Sequence, residues 1–304
     1  MSNTELIRTR STLHDQMGLI AAEIDTLFDA VLVVPPDTSG RLIEAVRYAS
    51  IGAGKRLRPL LVCAAGDLFD VPRQWSIRAG LAVECVHAHS LIHDDLPCMD
   101  DDDLRRGKPT VHVAFGEATA VLAGDALLAM AFDILCDPEM PPSPKVWCEL
   151  ASDLARAAGA YGMAGGQMMD LLPSDEPLDM DAVARLQRLK TGALIGWSVD
   201  AGAMLGAASP EMRTSLRGYA QKLGLAFQIA DDLLDVSGDE SQVGKRLRKD
   251  REQGKQTFVT LLGAERAQRQ ATLLVEQAIE HLYCFEGRAQ LLAEIAAFAV
   301  NRDR

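Results

Sequence analysis

The chain has 304 residues, of which 48% are hydrophobic and only 5% are aromatic. Its 43 Asp and Glu residues outnumber 31 Lys and Arg residues, so the formal net charge is −12, which argues against a nucleic-acid-binding protein. No apolar run approaches the roughly 18 to 20 residues that span a bilayer, and the first residues lack the apolar core of a secretory signal. We therefore expect a cytoplasmic protein without stable membrane insertion.

Ala and Leu dominate the sequence, and apolar residues recur at three- and four-residue intervals, which predicts about ten helices. The predicted helices are 5–31, 40–51, 58–70, 74–97, 115–136, 144–170, 178–206, 211–236, 256–283 and 287–301. Proline-rich breaks separate several of them, but none is long enough for a domain linker, and no segment has the pattern of a β-hairpin. We predict an all-α fold in which residues 1–304 form a single large helical bundle.

The six cysteines are scattered along the chain, with no Cys-x-x-Cys pair. They are Cys63, Cys85, Cys98, Cys136, Cys148 and Cys284. Their spacing disfavours a disulfide framework or a zinc site. Most lie in segments rich in Ala, Leu and Val, so we expect buried free thiols in a reducing compartment.

Two clusters of aspartates end strongly apolar predicted helices. The first has six aspartates within ten positions: Asp94, Asp95, Asp100, Asp101, Asp102 and Asp103. The second is Asp231-Asp232-Leu233-Leu234-Asp235, in which the first and last aspartates share one helical face. In the first cluster Pro97 breaks the hydrogen-bond ladder, and a local bulge there would bring Asp100 to the side of Asp94.

Carboxylates crowded at helix C-termini repel one another and oppose the helix dipole, so they require a positive partner. Oxygen-only ligand sets suit Mg²⁺, which takes one or two carboxylates together with water and substrate phosphate oxygens. For a single acidic run, a solvated surface is an equally good interpretation. Two such runs, each on an apolar helix and each followed by basic residues, favour metal binding.

Three basic runs accompany the acidic clusters. They are Lys55, Arg56 and Arg58; Arg105, Arg106 and Lys108; and Lys245, Arg246, Arg248, Lys249, Arg251 and Lys255. Arginine offers a planar fork for phosphate oxygens, and lysine offers a compact charge. Metal-binding acids combined with such cations predict a site for a diphosphate.

With these motifs the chain closely resembles the trans-polyprenyl diphosphate synthases, particularly the bacterial farnesyl diphosphate synthases. The likeness runs from Gly54-Lys55-Arg56 to the lysines near 255, and the Leu96-Pro97 insertion in the first acidic motif is part of it. The resemblance implies a helical bundle of the isoprenoid synthase type around a central apolar cavity, usually a homodimer. It also implies a magnesium-dependent short-chain prenyltransferase, with three Mg²⁺ ions, that condenses isopentenyl diphosphate with dimethylallyl or geranyl diphosphate.

The resemblance further implies the roles of individual residues. The metal ligands are Asp94, Asp100, Asp231 and Asp235, with Asp95 and Asp101 as assistants. The residues that bind isopentenyl diphosphate are Lys55, Arg58, His87 and Arg106. Those that contact the allylic diphosphate are Arg105, Lys190, Thr191, Gln228, Lys245 and Lys255. Two plain alternatives stay open: His87 as a packed core residue, and Thr191 bonded back to its own helix.

The product length and the competing functions depend on finer features. In farnesyl-type relatives an aromatic residue near the position of His89 and Ser90 forms the floor of the cavity. We expect a fifteen-carbon product, and a twenty-carbon product is the alternative. The alternative to a floor at His89 is that this side chain faces a neighbouring helix. Arg248 and Val259 depart from the family's Gly and Pro, which puts the geometry of that loop in question. A terpene cyclase is disfavoured by the second acidic motif, and a non-catalytic partner subunit by the complete set of motifs.

Overall fold

The computed structural model describes residues 12–52, 54–138, 140, 143–172, 178–237 and 256–301. The α-helices within these ranges, numbered in chain order, pack into a bundle. They are α1 (Leu13–Val31), α2 (Gly40–Ser50), α3 (Leu57–Asp67), α4 (Arg73–Asp94), α5 (Val111–Phe115), α6 (Glu117–Leu135), α7 (Pro144–Ala158), α8 (Met163–Leu171), α9 (Met180–Gln187), α10 (Ala193–Leu205), α11 (Pro210–Ser237), α12 (Phe258–Leu262), α13 (Ala264–Glu280) and α14 (Gln290–Val300). The predicted all-α fold is confirmed.

Several predicted helices are divided in the structure. Residues 144–170 form α7 and α8, and residues 178–206 form α9, a π-helical turn at Arg188–Gly192 and α10. Residues 256–283 form α12 and α13, followed by a 3₁₀ turn at Tyr283–Phe285. Gly116 and Gly263 have φ values of 90° and 78°, so they end one helix and begin the next. The apolar periodicity continues across these breaks, which is why the sequence pattern did not reveal them.

The core of the bundle is built around α4 and α10. Helix α4 packs against α3 and α6, while α10 packs against α3, α7 and α11. Nearly every side chain of α10 is buried, as expected for an interior helix. At Gly202 a Cβ atom would lie 2.5 Å from the backbone nitrogen of Gly66, so glycine permits the close approach of α10 to α3.

The chain reverses direction directly after the first acidic motif begins. Helix α4 ends at Asp94 rather than at residue 97, and the backbone N–H of Asp100 donates to the carbonyl of Asp94 at 2.8 Å. The turn therefore brings Asp100 back to Asp94, as the predicted bulge was to do, but outside the helix. Proline at 97 cannot supply the N–H that would continue the helix.

A short β-hairpin follows, although the sequence predicted none. Strand β1 (Leu104–Arg105) pairs antiparallel with β2 (Lys108–Pro109). Arg106 and Gly107 at its tip have φ values of 53° and 74°, the positive angles of a tight hairpin turn. Two residues per strand are too few to show alternation, so the prediction was wrong here.

Two other expectations need correction. All six cysteines are free, as predicted, but only Cys63 and Cys85 are buried. The others are exposed because they lie in turns, at a helix end or on a solvent-facing helix surface. In addition, α6 is long and apolar enough, by length and composition alone, to cross a membrane. One such helix in the described part of the chain is weak evidence, because core helices of soluble proteins pass the same test.

Candidate active site

A cavity of about 600 Å³ lies between α4, α8, the π-helical turn and α11. Both acidic clusters reach it, through Asp94 at the end of α4 and Asp231 on α11. The predicted site residues that line it are Arg58, His87, His89, Ser90, Asp94, Arg105, Arg106, Lys190, Thr191, Gln228 and Asp231. Apolar side chains complete the lining: Leu91, Met99, Met163, Met168, Leu171 and Phe227. The structure thus brings the two acidic motifs, the basic residues and an apolar surface together.

Four other predicted residues lie beside this cavity or away from it. Asp95 lines a smaller neighbouring cavity of about 110 Å³. Asp235 is 9% exposed, and its Oδ2 atom has no hydrogen-bond partner among the described residues. The Nζ atom of Lys55 lies 5.2 Å from the centre of the Phe298 ring. Asp100 is held next to Asp94 by its backbone hydrogen bond. Lys245, Arg248 and Lys255 fall outside the described residues.

Burial and crowding perturb the carboxyl group of Asp94. Its pKa is raised from 3.8 to about 6, chiefly by burial; Lys190 and Arg105 lower it, and the charges of Asp100 and Asp95 raise it. Removing a carboxylate from water disfavours its charged form. The charged form of Asp94 is therefore destabilised when no cation is bound, as is expected of a buried carboxylate that binds metal.

Asp95 forms an ion pair with Arg105. The Nε atom of Arg105 donates to both carboxylate oxygens of Asp95 at 2.8 Å, and Nη2 donates to Oδ1 at 2.5 Å. Asp95 is only 2% exposed, and burial raises its pKa while the hydrogen bond from Arg105 lowers it. Such a paired, planar contact fixes the guanidinium. Asp95 thus holds Arg105 at the cavity wall.

The two arginines of the first basic run have different surroundings. Arg56 is 3% exposed and donates to Glu84 at 2.9 Å and to Asp25 at 2.6 Å, so its charge is satisfied inside the protein. Arg58 lines the cavity, and its buried Nε atom has no hydrogen-bond partner among the described residues. Burial lowers the pKa of Arg58, and the nearby Asp231 opposes that shift. Of these two arginines, Arg58 is therefore the one that lines the larger cavity with an unsatisfied donor.

His87 and Arg106 share the wall that holds Arg58. Burial lowers the pKa of His87 well below its usual value, and the charges of Arg58 and Arg106 lower it further, so the imidazole is neutral at pH 7. Its place in the cavity wall favours a ligand role over a packed core residue. At Gly54, whose φ is 75°, a Cβ atom would lie 2.5 Å from Nη2 of Arg106. Glycine thus lets Arg106 pack across the turn.

The π-helical turn at Arg188–Gly192 presents Lys190 and Thr191 to the cavity. Such turns occur frequently at functional sites. The Nζ atom of Lys190 lies 2.6 Å from Oδ2 of Asp170, and the hydroxyl of Thr191 donates to Oε1 of Gln228 at 3.0 Å. The alternative of a Thr191 hydroxyl bonded to its own helix is therefore wrong. Helix α11 packs closely against this turn, as shown by Gly224, where a Cβ atom would lie 3.2 Å from Cα of Gly192.

Sequence reasoning missed Gln167 and Asp170 on α8. Asp170 pairs with Lys190, and Gln167 lines the cavity with both side-chain polar atoms buried and without a partner among the described residues. The available signal was the pair Gly165-Gly166 inside an apolar helix, since glycines there indicate a close backbone contact. A Cβ atom at Gly166 would indeed lie 2.2 Å from the backbone nitrogen of Lys190.

His89 both lines the cavity and contacts a neighbouring helix, so the two interpretations of this residue are compatible. Its Nδ1 atom lies 3.0 Å from the carbonyl oxygen of Gly124 on α6, and its ring lies 4.6 Å from that of His93. A carbonyl only accepts, so Nδ1 carries the proton. Burial lowers the pKa of His89. This anchored ring stands one turn before Asp94, where the floor was predicted.

Comparisons with known proteins agree with this arrangement. Residues 40–291 match the family model described as Polyprenyl synthetase. The farnesyl diphosphate synthase of Escherichia coli is 48% identical over 243 residues, which are 79% of this chain and 81% of that protein.

Solved structures give the same result. A structure described as an FPP/GFPP synthase from Zymomonas mobilis is 51% identical with a TM-score of 0.88, over 95% of this chain and 98% of that one. A Helicobacter pylori geranyltransferase, described as complexed with magnesium and isoprenyl diphosphate, is 31% identical with a TM-score of 0.81, over 96% of this chain and 97% of that one. The resemblance seen in the sequence is confirmed, and the chain belongs to the polyprenyl synthetase family.

Proposed function

We propose that this protein condenses isopentenyl diphosphate with dimethylallyl or geranyl diphosphate to give farnesyl diphosphate and release diphosphate. The observation that carries the proposal is that Asp94 and Asp231, from the two acidic motifs, line one cavity together with basic and apolar side chains. Its relatives support the farnesyl-type reaction. Farnesyl diphosphate synthases reach 48% identity, and geranylgeranyl diphosphate synthases occur among the relatives at lower identity.

The basic residues divide into two groups that would hold the two substrates. Arg58, His87 and Arg106 lie together and bind isopentenyl diphosphate, with Lys55 on the same basic run. Arg105 and Lys190 lie near Asp94 and bind the allylic diphosphate. Thr191 and Gln228 contact the same substrate, and the family resemblance implies that Lys245 and Lys255, which lie outside the described residues, do so too.

The carboxylates fit magnesium. Asp94 is an unfavourably buried anion, and Asp235 has a buried oxygen without a hydrogen-bond partner among the described residues. Within the part of the chain that the structure describes, no three potential ligands cluster around one point. Mg²⁺ commonly completes its shell with water and substrate phosphate oxygens, so such a cluster is not required. We propose that Asp94, Asp100, Asp231 and Asp235 hold three Mg²⁺ ions, which when bound neutralise charge on the leaving diphosphate.

The protein's own groups position the reactants and exclude water. Arg105 and Lys190 stabilise the departing diphosphate as the allylic C–O bond breaks. Apolar residues such as Met163, Leu171 and Phe227 keep water from the resulting carbocation. The double bond of isopentenyl diphosphate then forms the new C–C bond, and the departing diphosphate accepts the proton that is lost. No side-chain base is needed for this step.

We propose that the product has fifteen carbons because His89 and Ser90 close the cavity beyond the allylic site. His89 is smaller than Tyr or Phe, but its hydrogen bond to the Gly124 carbonyl holds the ring in place. A twenty-carbon product is the alternative, in which the growing chain passes this ring.

We further propose that the protein is a cytoplasmic homodimer. Val113 on α5 and Val121 and Leu122 on α6 are 51%, 40% and 55% exposed, and such exposed apolar side chains suit a contact with a second copy of the chain. Multi-angle light scattering of the native chain and of Leu122→Glu tests this. The proposal is contradicted if the native chain is a monomer, or if Leu122→Glu dimerises over the same concentration range as the native chain.

Incubation of the purified chain with Mg²⁺, labelled isopentenyl diphosphate and each allylic primer tests the function. Farnesyl diphosphate as the main product supports it. Formation of a cyclic hydrocarbon from an allylic diphosphate alone indicates a terpene cyclase. Turnover that requires a second protein indicates a partner subunit.

A further inference from the structure

We propose that Asp232 is a positioning residue that fixes which end of the Thr191 hydroxyl faces the cavity, acting through Gln228. The proposal rests on the prenyl transfer proposed above, because it concerns the polarity that the wall presents to the allylic carbocation. Asp232 itself is not among the cavity-lining residues, whereas Thr191 and Gln228 are.

Three hydrogen bonds connect these residues. Asp232 is 3% exposed; its Oδ2 accepts from the backbone N–H of Phe258 at 3.1 Å, and its Oδ1 accepts from Nε2 of Gln228 at 2.9 Å. Oε1 of Gln228 in turn accepts from the hydroxyl of Thr191 at 3.0 Å. Gln228 and Asp232 are four residues apart on α11, so they share one helical face.

The direction of these bonds follows from what each group is able to do. A carboxylate only accepts hydrogen bonds, and a backbone N–H only donates. Asp232 therefore requires the NH₂ group of Gln228 to face it, because the opposite amide orientation places two acceptors in contact. The amide oxygen must then face Thr191, whose single hydroxyl proton is used in that bond.

The consequence is a fixed polarity at the cavity wall. With its proton donated to Gln228, Thr191 turns only lone pairs towards the cavity. An oxygen lone pair stabilises a neighbouring carbocation, whereas a hydroxyl proton opposes it, because the local dipole is reversed. The negative charge of Asp232 is thus used at a distance to set a neutral oxygen in the favourable orientation before the reaction begins.

Asp232→Asn reverses this orientation without removing a side chain. If the Asn oxygen keeps the N–H of Phe258, its NH₂ group faces Gln228 and turns that amide over. Thr191 then accepts from Gln228 and points its proton into the cavity. We expect kcat to fall about tenfold, the scale of one net hydrogen bond, with an unchanged KM for isopentenyl diphosphate.

A double-mutant cycle with Thr191→Val tests the mechanism, since the Val side chain has no dipole to reverse. In the Thr191→Val background, Asp232→Asn should lower kcat no further. The Mg²⁺ concentration for half-maximal rate should stay unchanged in Asp232→Asn, although its neighbour Asp231 is a proposed ligand. Thr214→Val is the matched control, because its exposed hydroxyl donates to Pro210 on the same helix away from the cavity, and its kcat should equal that of the native chain.

Several results would overturn the proposal: an unchanged kcat in Asp232→Asn, losses that multiply in the double variant, or a raised Mg²⁺ requirement that accounts for the loss. If Asp232→Asn does not fold, Gln228→Met cuts the chain of hydrogen bonds at its centre and leaves the bond to Phe258. The fall in kcat caused by Gln228→Met must then be absent in the Thr191→Val background. A native chain that forms no prenyl product refutes the proposed function instead.

Discussion

Asp94→Asn should stabilise the metal-free protein while it abolishes turnover. In the folded chain burial raises the pKa of Asp94 from 3.8 to about 6. One pKa unit corresponds to about 1.4 kcal/mol, so a charged Asp94 at pH 7 destabilises the fold by up to about 3 kcal/mol. Asn removes this cost, together with a proposed metal ligand. We expect a gain in unfolding free energy of that size and a fall in kcat by orders of magnitude.

The pH dependence of this gain has a definite sign. Between pH 3.8 and about 6 the folded state binds the Asp94 proton more tightly than the unfolded state does. The native chain therefore loses stability relative to Asp94→Asn as the pH rises through this window, and the two proteins become alike below pH 4. Urea denaturation at pH 4, 5, 6 and 7 in the presence of EDTA measures the difference.

Asp37→Asn is the control, because Asp37 is exposed and hydrogen bonds from the hydroxyl and the backbone N–H of Ser39 lower its pKa. That change removes a carboxylate whose charged form is favoured in the folded state, so it should not raise stability at pH 7. The reasoning is refuted if Asp94→Asn is no more stable than the native chain at pH 7, or if both variants shift stability in the same direction.

Further predictions concern other parts of the structure. Asp231→Ala should reduce turnover by orders of magnitude, and chelation of Mg²⁺ should abolish condensation until the ion is restored; near-normal rates in either assay contradict the metal site. His89→Ala should lengthen the product, as read by chromatography of the dephosphorylated chains, and an unchanged product spectrum contradicts the floor. Arg56→Leu should lower the unfolding free energy by about 3 to 5 kcal/mol, because Glu84 is left buried without its partner. A urea midpoint close to the native one contradicts that role.

The sequence predicted the helical class and the general positions of the helices, because burial of one or more helix faces leaves a periodic pattern. It did not predict the end of α4 at Asp94 or the hairpin at Leu104–Arg105 and Lys108–Pro109. Those features depend on local backbone angles over two or three residues. The prediction of one domain over residues 1–304 stays a prediction.

The site was predicted to a similar extent. The acidic motifs stand out by charge alone, and the structure places Asp94 and Asp231 at one cavity. Lys190 and Thr191 carry no local signal and came from the family resemblance. Charge alone also does not separate Arg56, which is paired inside the protein, from Arg58, which faces the cavity. That distinction depends on the tertiary positions of their partners, which no single-sequence pattern reveals.

Because of the π-helical turn at Arg188–Gly192, a regular α-helix in this segment would not present Lys190 and Thr191 to the cavity. Each residue of a regular α-helix advances the chain by about 100° around the axis. Deleting one residue between 188 and 192 would allow α9 and α10 to join as one straight helix, but it would rotate the cavity-facing pair away from its partners on α8 and α11. A variant that is stabilised by making this helix continuous should therefore fold well but lack prenyl transfer activity.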